Sequence, residues 1–216
     1  MASKATRRMT ALIGAALICF MLALMEMDAQ ADERTVTVCI DSRTVQESVM
    51  AQAIAGKMFA DIGVRIDWRQ ESKCPAGQAG VIHISLNMSV LANHYPSALA
   101  IALPYEGVHV QVFIDRVRKT VDPIRKMADP TSVAPLLAHV LAHEITHILQ
   151  RVNRHSECGV MKARWGQKDY EEMAWKPLSF DDGDVQLIHS GLHARAAGGP
   201  QVSPLADNSA PALTVK

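Results

Sequence analysis

Two histidines and a glutamate in the segment HEITH, residues 143–147, have the types and spacing that zinc-dependent hydrolysis requires. His143 and His147 are four residues apart, so on a helix they share one face, with Cβ atoms about 6 Å apart, and both can reach one zinc ion. Glu144 would lie beside that ion, where it can take a proton from a zinc-bound water and pass it to a leaving amine. The motif therefore predicts a hydrolytic zinc site with Glu144 as the general base.

A catalytic zinc ion usually has three protein ligands, so one more must come from elsewhere in the chain. His155 is the only other histidine between residues 143 and 161, and it is the first candidate. The second candidate is a downstream carboxylate, Glu171 or Glu172, because some zinc peptidases take their third ligand from a later helix. The sequence DYEEMAW around them has neither the Asn before the Glu nor the Ser-Asp after it that accompany such a ligand. His155 is therefore the preferred third ligand.

A long helix is predicted to position the two histidines of the HEITH segment. From residue 132 to about residue 153 apolar residues recur at helical spacing, Ser132 can cap the first turn, and Pro135 falls where its missing N–H does no harm. The side of this helix opposite the histidines carries apolar residues that would pack into the core: Leu137, Leu141, Ile145, Ile148 and Leu149.

Five strands are predicted before that helix, from alternating apolar and polar residues and from the turn residues that bound them. They span residues 34–41, 64–69, 81–86, 97–104 and 108–115. A helix over residues 45–63 links the first two strands, as in a right-handed parallel crossover. After Met161 a loop is expected to about Phe180, followed by a last helix over residues 181–196. This order of elements predicts one α+β domain.

The combination HEITH…RHSECGVM resembles the active-site segment of the metzincin metallopeptidases, most closely their matrixin-like branch. In that family the pattern HExxHxxGxxH, often with Ser after it, precedes a turn that contains Met. The segment is also similar to that of small secreted bacterial proteins with an HExxH motif. The resemblance covers roughly residues 34–195. It implies a mixed sheet with one antiparallel edge strand, an active-site helix, a C-terminal helix, a Zn2+ cofactor, a peptide or protein substrate, and Met161 as an apolar floor under the metal.

The chain departs from the family pattern at two positions. Gln150 stands where the pattern has Gly, and Asn153 stands where it has the third His. Met161 nevertheless follows His147 by fourteen residues, the interval that matrixins show. Asn tolerates the left-handed conformation better than any residue except Gly, so we expect the helix to run about three residues further and to turn at Asn153. His155 would then lie just past the turn and could fold back onto the metal.

Other residues near the motif have structural explanations that are at least as good as functional ones. His139 lies one helical turn before His143 and is expected to be packed or to support the site. Trp165 and Tyr170 follow the Met turn, where the family builds a wall of its substrate pocket, but core packing explains them equally well. The remaining histidines are expected to be structural or exposed: His83, His94, His109, His189 and His193.

The N-terminus predicts export. Three basic residues precede an apolar run at residues 11–25, and AQA at residues 29–31 is a small-x-small cleavage site. A membrane anchor is the alternative, but this run is short for a hydrocarbon layer of ~30 Å. We therefore predict a signal peptide over residues 1–31 that is cleaved after Ala31, which makes the protein secreted or periplasmic without stable membrane insertion. The mature chain is predicted to have a zinc metallopeptidase-like domain over residues 32–197 and a disordered tail over residues 198–216.

Export also bears on the cysteines, since an oxidising compartment favours disulfides. The mature part would keep Cys39, Cys74 and Cys158, an odd number. Cys39 lies in the first predicted strand and Cys74 just beyond the second, so a bridge between them is expected, with Cys158 free. Three unpaired thiols are the alternative.

Charge and composition set bounds on the function. The 22 basic and 22 acidic side chains balance, so nothing indicates a nucleic-acid partner. Besides a peptidase, the motifs allow a non-catalytic secreted module that keeps the fold and binds zinc. Glu144 argues against that alternative, because a purely structural zinc site needs no base.

Overall fold

Strands and helices occur in the order that the sequence predicts, with two further helices. The computed structural model describes residues 34–41, 47–74, 80–87, 98–102, 108–125 and 133–197. The predicted signal peptide, the predicted tail and His94 lie outside these residues, as does Ser132 at the expected helix cap.

Five strands and five helices lie within these ranges. The strands are β1 (Thr35–Asp41), β2 (Arg65–Gln70), β3 (Ile82–Asn87), β4 (Ala100–Ala102) and β5 (His109–Phe113). The helices are α1 (Ser48–Ala60), α2 (Ile114–Arg125), α3 (Val133–Gln150), α4 (Gln167–Met173) and α5 (Asp182–Ala196), and a 3-10 turn over Glu71–Lys73 follows β2. None of these helices has both the length and the apolar character that a membrane span requires.

The strands form one mixed sheet in the order β2-β1-β3-β5-β4. β1, β3 and β5 are parallel neighbours, whereas β4 pairs with β5 in the antiparallel direction at the edge of the sheet. The α+β fold with five strands, one antiparallel edge strand and a C-terminal helix is therefore confirmed.

Alternation along the strands gives the sheet its buried face. In β3, Ile82, Ile84 and Leu86 are buried and the residues between them are partly exposed. Ile84 lies beside Ile40 of β1 and Val110 of β5 in the register of the sheet, and all three are buried. These side chains belong to one hydrophobic cluster that includes residues of α1 and α3. Helix α3 therefore shares its core with the buried face of the sheet.

Helix α3 is buried on every side rather than along a single stripe. All of its residues except Pro135 and His147 are buried. It packs most extensively against α1 and then against α5. A helix that is apolar all round is typical of a central core helix. The turns of α3 that carry His143 and His147 are therefore fixed by neighbours on several sides.

Two helices, α2 and α4, lie where the sequence patterns predict a strand end and a loop. The predicted fifth strand continues to residue 115, but α2 begins at Ile114, and its buried residues Ile114, Val117 and Val121 have helical spacing. The predicted loop after Met161 contains α4, a helix of seven residues whose Tyr170 and Met173 are buried. Helix α4 is short and mostly polar, so only tertiary packing of a few side chains distinguishes it from a loop.

Two glycines allow backbone segments to meet directly. Gly191 of α5 lies against α3, where a Cβ atom would overlap the carbonyl oxygen of Leu149. Gly159 has φ of 71°, in the left-handed region, and a Cβ atom there would overlap the carbonyl oxygen of Ser179. Substitution at either position would force these segments apart.

The expected disulfide is present. Cys39 and Cys74 are bonded, with their Cα atoms 6.2 Å apart, and Cys158 is free and exposed. Cys39 lies in β1 and Cys74 directly follows the 3-10 turn. The bond therefore ties the segment after β2 to the sheet.

The end of α3 differs from the prediction. The helix ends at Gln150, and Arg151, with φ of 57°, takes the left-handed conformation. The expected turn at Asn153 is therefore wrong. Arg151 follows directly on the position where the family pattern has Gly, so the chain turns almost where that pattern turns, but without a glycine.

Replacing Arg151 by glycine is expected to raise the free energy of unfolding by about 0.5–1 kcal/mol, measured by urea denaturation of metal-free protein. A left-handed conformation costs an L-residue ~1–2 kcal/mol, and the extra freedom of glycine in the unfolded chain offsets part of the gain. Asn153→Gly is the control, and it should slightly lower the stability, since Asn153 does not have a positive φ. Stabilisation by Asn153→Gly but not by Arg151→Gly would place the turn at Asn153 after all.

Candidate metal centre

Three imidazoles come together at the C-terminal end of α3. His143 and His147 lie on the helix and His155 on the loop that follows it. One ring nitrogen from each lies within 4.8 Å of the other two. The ring centroid of His155 is 5.3 Å from that of His143 and 4.9 Å from that of His147. The three residues predicted to bind a metal are thus adjacent in space.

The orientation of His143 is fixed by the segment that contains the Met turn. Its Nδ1 donates a hydrogen bond to the carbonyl oxygen of Val160 over 2.9 Å. Because a carbonyl can only accept, Nδ1 carries the proton and Nε2 is left with a lone pair. The backbone N–H of Val160 in turn donates to the carbonyl oxygen of Ser179 over 3.0 Å. Met161, the next residue, is completely buried.

The ring nitrogens of the two helical histidines point at each other. Nε2 of His147 lies 2.9 Å from Nε2 of His143. Nδ1 of His147 is buried and has no hydrogen-bond partner of ordinary geometry among the described residues. Because Nε2 of His143 carries a lone pair and no proton, two nitrogens at this distance require either a proton or a metal cation between them.

Burial favours the neutral form of all three imidazoles. It lowers the pKa of His143 well below its ordinary value, and the nearby His147 and His155 add to this effect. It lowers the pKa of His147 to about 4. The nearby His155 adds to this effect, and a hydrogen-bonding contact with the backbone of Val152 opposes it. Burial also lowers the pKa of His155, while the charge of Asp184 opposes that shift. Neutral imidazole is the form that binds metal ions.

The residues fit a zinc ion. Three imidazoles with room for a fourth ligand are a common donor set of catalytic zinc, although copper, nickel and iron also accept imidazole. A tetrahedral ion bound at ~2.05 Å separates two nitrogens by ~3.3 Å. The observed 2.9 Å between the two Nε2 atoms reaches that value through a ring shift of roughly a few tenths of an ångström.

Glu144 is buried between α3 and the edge strand. Its exposed fraction is 4%. Burial raises the pKa of its carboxyl group to about 8, and a hydrogen bond from the backbone of Ala102, the last residue of β4, opposes the shift. The acid of the HEITH motif is therefore held out of bulk water, one residue along the helix from His143.

The downstream carboxylates are not part of the imidazole cluster. Glu171 and Glu172 are exposed on α4. Glu171 accepts a hydrogen bond from Gln167 over 3.1 Å, and Glu172 forms an ion pair with Lys176 at 3.0 Å. The described geometry therefore favours His155 over either glutamate as the third ligand.

His139 is part of the structural core. Its Nδ1 donates to the carbonyl oxygen of Pro135 over 2.6 Å, and its Nε2 accepts from the backbone N–H of Leu178 over 2.9 Å. Burial lowers its pKa to about 4. Both ring nitrogens are thus occupied, and His139 lies outside the group of three.

The aromatic residues after the Met turn are buried. Trp165 packs edge-on against His143, with ring centroids 5.6 Å apart, and against His139. Tyr170 is also buried. Trp165 therefore forms an apolar wall beside His143, whereas no described contact links Tyr170 to the three imidazoles.

The remaining described histidines have partners elsewhere. His83 stacks on its sheet neighbour His109, with ring centroids 5.1 Å apart, and its Nδ1 lies 2.9 Å from a carboxylate oxygen of Glu71. His189 lies 3.0 Å from the carbonyl oxygen of Ile62 through its Nε2. Neither set forms a group of three metal-binding side chains within the described part of the chain.

One buried acid close to the site is not indicated by any motif in the sequence. Asp184, in the first turn of α5, has a fully buried side chain. It accepts hydrogen bonds from Ser156 and Arg154, the two neighbours of His155, and from Gln150. Acidic residues such as the run DDGD at residues 181–184 are typical of a helix N-terminus, so the run by itself indicates no further role for Asp184. The Ser that often follows the third His in the family pattern is the only signal that could have suggested this contact.

Comparison of the sequence with protein-family models gives no match, and comparison with curated proteins gives none either. The metzincin resemblance therefore depends on the residues of HEITH and RHSECGVM and on the predicted order of strands and helices. The arrangement of His143, His147, His155 and Glu144 provides the evidence for function.

Proposed function

We propose that this protein is a secreted zinc-dependent peptidase of the metzincin type, in which His143, His147 and His155 bind the metal and Glu144 is the general base. One observation carries the proposal: the three imidazoles converge from a buried helix and the loop that follows it, and the residue after the first of these histidines is a buried glutamate. A solvated charged patch on an amphipathic helix would have neither feature.

Each residue has a separate task in this proposal. When bound, a zinc ion would polarise a peptide carbonyl and lower the pKa of a coordinated water towards ~7. Glu144 would accept the proton from the attacking water and deliver it to the leaving amine. The hydrogen bond from His143 to Val160 would keep the lone pair of Nε2 directed at the metal. Met161, buried beside Val160, would form the apolar floor.

Secretion is the second part of the proposal. A signal peptide over residues 1–31, cleaved after Ala31, would deliver the protein to a periplasm or to the medium. The bond between Cys39 and Cys74 supports this location, because structural disulfides persist in oxidising compartments. An N-terminus at Asp32 in protein recovered from outside the cytoplasm would agree with this part.

The direct test combines metal analysis with peptide hydrolysis. Purified mature protein should contain roughly one zinc ion per chain, as three ligands and an open position predict. It should cleave members of a broad peptide library, lose this activity with a zinc chelator, and regain it when zinc is returned. Bound zinc without cleavage of any peptide would favour the non-catalytic zinc-binding module. Protein that does not bind added zinc would contradict both functions.

A further inference from the structure

The third imidazole is flanked by two side chains that bind the same carboxylate. Arg154 precedes His155 and donates to Asp184 Oδ1 over 2.9 Å. Ser156 follows it, and its hydroxyl lies 2.8 and 2.9 Å from the two carboxylate oxygens of Asp184. His155 is thus placed between two residues that are both tied to the start of α5.

The same carboxylate also reaches the end of the ligand-bearing helix. Gln150, the last residue of α3, donates from its amide nitrogen to Asp184 Oδ1 over 3.2 Å. The backbone N–H of Asp184 donates a hydrogen bond to the side chain of Asp181, the N-cap residue of α5. Asp184 therefore connects three parts of the chain: the end of α3, the loop that carries His155, and the first turn of α5.

Packing alone does not fix this loop. Val152, Asn153 and Arg154 are exposed, and His155 is only half-buried. The backbone N–H of Ser156 donates to the carbonyl oxygen of Met161 over 2.8 Å, which closes the second half of the loop on itself. Because the first half is exposed, we attribute its position to the hydrogen bonds of Arg154 and Ser156 to a buried acceptor, together with the contact between His147 and the Val152 backbone.

We infer that Asp184 is a positioning residue, which orients His155 towards His143 and His147 by holding the side chains on either side of it. The inference rests on the proposed function for the zinc ion itself. Asp184 would not touch the metal or the substrate. Its loss would leave all three imidazoles in the chain, but the third would be free to move away from the other two.

Asp184→Asn is the first test, because asparagine has nearly the same shape but can accept at only one oxygen. We expect its zinc affinity, measured by competition with a chromophoric chelator, to fall about tenfold, at the lower end of the ~10–100-fold range for residues that orient metal ligands. Cobalt(II) in place of zinc should show a changed visible spectrum, since the ligand geometry changes. Ser156→Ala, which removes the contact on one side of His155 without altering a charge, should change both quantities in the same direction.

Ile188→Val is the matched control for stability. Ile188 is fully buried on the same helix and is not part of the hydrogen-bonded cluster. The Ile188→Val substitution should lower the free energy of unfolding. It should leave the zinc affinity and the cobalt spectrum of the folded protein at the parental values. Parental zinc affinity in folded Asp184→Asn would overturn the inference and leave the proposed function intact.

Hydrogen exchange of metal-free protein provides a measurement that does not depend on zinc. Backbone amides over residues 152–157 should exchange faster in Asp184→Asn and Ser156→Ala than in the parent or in Ile188→Val. If the parent does not bind zinc, the proposed function fails, and this exchange alone decides whether Asp184 holds the loop. Unchanged exchange in both variants would then contradict the positioning role.

Discussion

Replacing His155 by alanine is expected to weaken zinc binding by ~10²-fold or more. Structural zinc sites with four protein ligands bind with ~10–16 kcal/mol, so one ligand contributes on the order of 3 kcal/mol, which corresponds to ~10²-fold. The loss should be clear because, among the described residues, no carboxylate lies in the group of three imidazoles and could take the place of His155. Chelator competition and metal analysis of the purified variant are the measurements.

Three substitutions serve as controls for His155→Ala. Glu171→Gln and Glu172→Gln remove the charges of the rival ligands, and Asn153→Gly changes the residue that stands at the expected ligand position of the family pattern. All three should bind zinc nearly as the parent does, since these side chains are exposed and lie outside the imidazole group. Full zinc content in His155→Ala, together with a metal-free Glu171 or Glu172 variant, would assign the protein to the other class of zinc peptidase.

Replacing Glu144 by glutamine is expected to keep the zinc ion and to slow peptide hydrolysis by at least ~10²-fold, the scale expected for loss of a general base. The fold should survive the change. Glutamine has the same shape, its oxygen can still accept from the Ala102 backbone, and a neutral amide is less costly to bury than a carboxylate. The measurement is kcat/KM on a peptide that the parent cleaves, with zinc content determined on the same sample.

Glu172→Gln is the matched control for this second prediction, because it makes the same chemical change at an exposed position on α4. Its hydrolysis rate should equal that of the parent. A Glu144→Gln variant that contains zinc and cleaves at the parental rate would show that the proton is transferred by another group.

The parts of the fold with regular patterns could be predicted from the sequence. Alternation in β3 and helical periodicity over α3 are strong local signals, because each element turns its apolar residues towards one core. The three imidazoles could be predicted because HEITH fixes two of them and the adjoining segment contains only one more histidine. The pairing of Cys39 with Cys74 could be predicted because Cys39 lies in the first predicted strand and Cys74 lies just beyond the second.

The parts that could not be predicted depend on contacts between distant segments. The short helix α4 owes its conformation to a few buried side chains. The left-handed turn falls on Arg151, a residue with no intrinsic preference for it, because the loop is held beyond that point. The role of Asp184 depends on a contact with Ser156, 28 residues earlier in the chain, which no local pattern reveals.

The two glycines at the backbone crossings have a consequence for recognising related chains. Neither Gly159 nor Gly191 can carry even a methyl group without separating the segments it joins, and both lie beside the loop or helix that positions the third imidazole. A distant relative that keeps this arrangement should therefore keep HExxH, seven residues, HSxxGxM, and later an Asp followed by Gly after six intervening residues. Such a spaced signature would find members of the group whose overall similarity is too low for whole-sequence comparison.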